Sequence, residues 1–131
     1  MNSMSLPNHA GRLLLGGLFI VAGLMFFRHG DFEFARSVIA AHGLPFPTLL
    51  LVGTMVMELV CGTMIVTGWQ ARWAAIVLLI WLVPATWLFH APWSAPADQV
   101  ANQIFHCLKN IAIAGGLLLV VGSSQPSRGP R

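Results

Sequence analysis

Four apolar runs, each close to the length of a bilayer-spanning helix, dominate this 131-residue chain and leave little choice of fold. They cover about residues 11–27, 46–69, 73–89 and 100–121. A spanning helix needs about 20 mainly apolar residues, with a working range of about 17–25. The first and third runs lie near the short end, and the arginines beside them, Arg12, Arg28 and Arg72, can snorkel to the interface to extend them. Charged residues form only 8% of the chain and hydrophobic ones 56%, too few polar groups to cover a water-facing surface. Much of the solvent is therefore lipid. The expected fold class is all-α: an integral membrane four-helix bundle, one domain over residues 11–122, preceded by a cytoplasmic segment 1–10.

The first run follows a basic residue, as a signal peptide would, but Arg28-His29-Gly30-Asp31-Phe32-Glu33 after it contains no small-x-small cleavage site. It reads as a retained helix. Between the first two runs, Phe34, Ala35, Val38, Ile39 and Ala41 fall at helical spacing behind Asp31, a natural N-cap. Gly43 terminates that pattern, and Pro45 and Pro47 bar its continuation. A short interfacial helix over 31–42 is expected. The link 91–98, with Pro92 and Pro96, reads as an irregular connection, residues 1–8 as loose, and the polar segment 123–131 as a disordered cytoplasmic tail.

Orientation follows from basic residues: with the N-terminus inside, Arg12, Arg72, Arg128 and Arg131 face the cytoplasm and only Arg28 and Arg36 lie outside. Both termini are thus expected in the cytoplasm of a bacterial-type plasma membrane. Trp69 and Trp73 would belt the inner interface, and Trp87 and Trp93 the outer one. The net charge of +3 is spread singly along the chain, which excludes a nucleic-acid surface. Glycines 16, 17, 23, 53, 62, 115 and 116 read as sites of close helix approach.

Two runs carry one ionisable group each, Glu58 and Lys109. Such a group at bilayer depth costs about 2.5–3.5 kcal/mol on insertion scales and calls for a partner. Counting from the helix entries at the helical rise, Glu58 lies roughly 18 Å down and Lys109 roughly 12–14 Å. The two can meet as a buried charged pair. Thr54, one turn from Glu58, and His106 and Asn110, beside Lys109, complete a polar pocket, while Arg28 and His90 mark the outer interface. Pro84 frees the carbonyl of Ile80 at membrane depth. Three readings stand: the pair fixes helix register, binds a polar or redox ligand, or forms part of a proton or ion path. His29, His42, His90 and His106 show no HxxxH or HExxH spacing, so no metal or haem site is expected. Cys61 and Cys107 differ in depth by about 10 Å, from the helical rise, too far for a disulfide. No nucleophile–base pair, phosphate loop or dinucleotide fingerprint is present, so an autonomous enzyme is not expected.

Five segments in order resemble the DoxX family of small four-helix membrane proteins, over about residues 11–121. They are Arg12-Leu13-Leu14-Leu15, Ala40-Ala41-His42-Gly43-Leu44-Pro45, Met57-Glu58-Leu59, Leu88-Phe89-His90-Ala91-Pro92-Trp93 and Leu108-Lys109-Asn110-Ile111-Ala112. The family is named for a subunit of an archaeal thiosulfate:quinone oxidoreductase, and the resemblance implies a setting in membrane redox complexes. It matches Glu58, Lys109 and Asn110 to positions where the family keeps polar residues, and Arg28 to a basic position after the first helix; it gives no support to His106 and Cys107 as a haem or dithiol site. The function it implies is an accessory or quinone-contacting subunit, with quinone as ligand and redox-enzyme subunits, or copies of itself, as partners in the lipid bilayer. A small-solute or proton carrier and a scaffold recruiting a soluble enzyme are the alternatives.

Overall fold

The computed structural model describes residues 5–123. They form five α-helices: α1 (Leu6–Met25), α2 (His29–Ala41), α3 (Pro47–Thr67), α4 (Ala71–Phe89) and α5 (Val100–Ser123), with a 3-10 turn at Pro92–Ser94. Four of them, all but α2, are long and apolar enough to cross a membrane. No strand occurs among the described residues. The chain is thus a multi-pass membrane protein whose long helices alternate in direction. One face of the bundle carries the described chain ends and the α3–α4 turn; the opposite face carries α2 and the 3-10 turn.

α1 starts at Leu6, with Pro7 in its first turn where a missing N–H costs nothing. Residues 6–8 are therefore helical, not loose as expected; 1–4 and the expected tail beyond Ser123 lie outside the described residues. The short helix is present, but it begins earlier than the sequence suggested. Arg28 stands at its N-cap and Asp31 lies inside the first turn, 3.5 Å from the Arg28 guanidinium. Along α2, Arg36 donates to Glu33 at 2.7 Å and holds that carboxyl below its usual range. Gly43, at φ +71°, follows the helix end, and Pro47 opens α3 instead of merely stopping α2.

The buried stripe of α1, Arg12, Gly16, Phe19 and Gly23, has the alternating four- and three-residue spacing of one helix face. It docks antiparallel on α3. A Cβ on Gly16 would stand 2.6 Å from the Gly62 carbonyl oxygen, and one on Gly62 would stand 2.8 Å from that of Gly16. The two backbones touch because neither residue has a side chain. Gly17, Gly53 and Gly115 face open space, so they take no part in such contacts. The larger apolar core, with Phe19, Ile65, Leu78 and Leu117, lies toward the chain-end face. A second, around Ala35, Ile39, Leu51 and Met55, seats α2 on α3.

Arg12 is packed against protein, at 7% exposure, beside the end of α3. Its guanidinium packs against Gly68, whose φ of +80° ends α3. A Cβ there would meet the Arg12 Nη1 at 2.7 Å in a backbone region that side chains avoid. Gly68→Ala should lower unfolding free energy by about 1–2 kcal/mol. Chemical unfolding in bicelles would measure it; an unchanged midpoint would show that the turn is not held this way.

Candidate functional site

Only two described residues of α5, Leu117 and Val120, are fully buried, and both lie near the chain-end face. There Gly116 rests against Leu15 of α1. Toward the other face α5 leans mainly on α4, and its outward residues Ile104, Phe105 and Ile111 are exposed. α1 stays against α3 over the same stretch, as Gly23 packs on Leu59 and Met55. The bundle therefore gapes between α1 and α5 in the half that carries α2. The gap is a cavity of about 780 Å³.

Its walls come from all five helices and are mostly apolar. Leu18, Val21 and Met25 of α1 and Lys109 of α5 line it while remaining exposed, so its mouth opens sideways into the lipid phase. Deep inside, Glu58 of α3 is only 3% exposed. Its Oε2 is buried and no described residue donates to it. Thr54, one turn along α3, also lines the cavity and is half-buried.

The direct ion pair expected between Glu58 and Lys109 is not formed. Among the described residues the ion pairs are Arg28–Asp31 and Arg36–Glu33, both within one turn. Lys109 is exposed, not buried, and its Nζ donates to His106 Nδ1 at 3.2 Å. Both charged side chains nevertheless line the same cavity. α4 lies between α3 and α5, which sets the two groups on different walls.

The α5 wall is held by a polar cluster. Asn110 Nδ2 donates to Thr86 Oγ1 at 2.8 Å, and that hydroxyl donates to the Leu82 carbonyl at 2.7 Å. His106 stacks on His90, ring centroids 4.5 Å apart, and His90 Nδ1 donates to Gln103 Oε1 at 3.2 Å. The Cys107 thiol donates to the His90 carbonyl at 3.0 Å. Of the residues singled out in the sequence, Glu58, Thr54, Lys109, Asn110 and His90 converge on the cavity, and His106 braces it from behind. Arg28 does not line it. Thr86 and Gln103 were missed. The available signal for Thr86 was its place one turn before His90, beyond Pro84, on a helix otherwise poor in polar groups. Cys61 and Cys107 are both free thiols. Among the described residues, no three His, Cys, Asp or Glu side chains are placed to share a metal ion.

These features define a class: a small multi-pass membrane bundle enclosing a laterally open, apolar cavity with a lone carboxyl at its base and an amine at its mouth. The sequence profile of the DoxX family matches residues 8–91, and the chain belongs to that family. The match ends after α4, so the resemblance seen in Leu108–Ala112 lies outside it. The chain is also 28% identical, over 103 residues, to the inner membrane protein YphA of Escherichia coli strain K12. That alignment covers 79% of this chain and 72% of the relative. No solved structure matches the chain.

Proposed function

We propose that this protein is an accessory subunit of a redox system in the bacterial inner membrane and that it holds a quinone-type ligand in its cavity. The observation that carries this reading is the cavity itself. A volume of about 780 Å³ falls within the range of small-molecule sites, about 300–1,000 Å³. Its apolar walls suit a ring and an isoprenoid-like tail, and its sideways mouth suits a ligand that never leaves the bilayer. Lys109 at the mouth can donate a hydrogen bond to a ligand oxygen. The inner-membrane setting is drawn from YphA, and the basic residues favour both termini in the cytoplasm. The cavity would then occupy the outer half of the membrane.

Trp81 lines the cavity and supplies a probe, since a quinone within contact distance quenches indole emission. A short-chain quinone titrated into protein in lipid nanodiscs should quench saturably, and Trp81→Phe should remove most of the saturable part. Ala85→Phe, which fills the cavity from α4, should weaken binding by about tenfold or more, the loss of one well-buried contact set. Quenching that never saturates, or that ignores Ala85→Phe, would end the ligand reading. The accessory role has its own check: Lys109→Ala should slow quinone reduction in host membranes, and an unchanged rate would remove it.

A further inference from the structure

Two hydroxyl-bearing groups at the base of the cavity stand without protein partners. Glu58 is 3% exposed, nothing in the described protein donates to its buried Oε2, and neither ion pair among the described residues includes it. A carboxylate with no counter-charge in apolar surroundings costs far more than the neutral acid, so Glu58 keeps its proton. The neutral carboxyl carries one O–H donor beside its carbonyl oxygen. Thr54 lies one turn away on the same face of α3 and lines the same cavity. Thr63, Thr67 and Thr86 each give their hydroxyl proton to a carbonyl four residues back, those of Leu59, Thr63 and Leu82. Among the described residues Thr54 gives its own to none. The polar side chains of the α4–α5 wall, by contrast, each hold a protein partner: Asn110 has Thr86, His90 has Gln103 and Lys109 has His106.

We infer that Thr54 and Glu58 form a two-donor seat for one ring oxygen of the ligand, with Glu58 acting as a neutral acid, so that the ligand lies ring first in the cavity with its tail toward the lipid. A carbonyl oxygen has two lone pairs and can accept from both groups at once. Residues four apart on a helix hold their Cβ atoms about 5–6 Å apart, close enough for one oxygen to lie between the two side chains. The reverse placement, tail inward, leaves two donors at the base with no acceptor, which is costly in a dry site. A hydroquinone hydroxyl fits the same seat, accepting from Thr54 and donating to the carbonyl oxygen of Glu58. The seat therefore reads the presence of a ring oxygen and not its oxidation state. It presupposes the ligand reading above and adds which end of the ligand is buried and which side chains hold it.

A short-chain quinone, titrated in nanodiscs by its quenching of Trp81, tests the seat. Glu58→Leu should weaken binding about tenfold and Thr54→Val about fivefold, each the loss of one buried hydrogen bond. Glu58→Gln and Thr54→Ser, which keep an N–H or O–H donor, should stay within about threefold of wild type. Were Glu58 ionised, its acceptor oxygens would repel the carbonyl, and Glu58→Leu would tighten binding instead. Infrared difference spectra between wild type and Glu58→Gln read the protonation directly. At neutral pH Glu58 should contribute the C=O stretch of a neutral carboxylic acid, and quinone should shift that band by drawing the O–H into a hydrogen bond. A carboxylate band in its place, or an acid band that quinone leaves unmoved, overturns the inference. So does equal loss of binding in Glu58→Leu and Glu58→Gln, or no loss in Glu58→Leu and Thr54→Val; saturable quenching of wild type still upholds the ligand reading in each case. Failure of wild type to bind quinone at all overturns both.

Discussion

Gly16→Leu should abolish the docking of α1 on α3. A Cβ alone would stand 2.6 Å from the Gly62 carbonyl oxygen and 2.7 Å from Cγ2 of Val66. The first obstacle is backbone and cannot rotate away. Even Gly16→Ala forces the helices apart along the face that also holds Phe19, and overpacking of this kind costs about 1–3 kcal/mol. Gly62→Ala should behave alike, because its Cβ would meet the Gly16 carbonyl oxygen at 2.8 Å. Gly23→Ala should be milder, with contacts of 3.1 Å to Leu59 and 3.2 Å to Met55. Gly115→Ala faces open space and serves as the control. Unfolding by a denaturing detergent, followed by circular dichroism, should rank the four in that order. A Gly16→Leu protein as stable as the control would refute the close approach. The same contacts explain why the glycines divide as they do: in lipid, helices associate through packing, and a close backbone approach is the strongest form it takes.

Glu58→Leu should make the ligand-free protein more stable, not less. Removing a buried polar group that has no partner relieves about 1–3 kcal/mol of desolvation cost, and leucine nearly fills the same volume in a cavity whose lining is mostly apolar. Had Glu58 been locked to Lys109 in a register-fixing ion pair, the same change would leave a cation stranded and lower stability. Thermal unfolding in mild detergent separates these outcomes by sign. A rise together with weakened ligand binding would mark Glu58 as a group kept for binding at the expense of stability. A fall would restore the register reading.

How much of this was legible beforehand depends on the residue asked about. Helix number and the extra helix before α3 follow from run length and periodicity, as does the choice of Glu58 and Lys109, which line one cavity. Those are properties along one axis. The arrangement around the axis is not encoded so openly. In water an apolar stripe marks the buried face, but here lipid-facing residues such as Leu18, Val21 and Ile111 are as apolar as the core. The sequence therefore placed Glu58 and Lys109 level without showing that α4 stands between α3 and α5. The packing of Arg12 against protein was hidden for a related reason. A basic residue near a span end is ordinarily an interfacial anchor, and nothing local announced that Gly68 would leave room for it. Thr86 carried only a local signal, its place one turn before His90, until its partner Asn110 was known to face α4.

The burial of Arg12 has a consequence for how the chain enters the membrane. α1 is the least hydrophobic of the spans, with mean hydropathy 1.3 against 2.2 for α3. The residue that weakens it packs beside Gly68, at the start of the α3–α4 turn. During synthesis that glycine emerges more than fifty residues after Arg12 itself. α1 is therefore made before the residue that accommodates its arginine. The glycine that its arginine packs against has not yet been translated when α1 itself is complete.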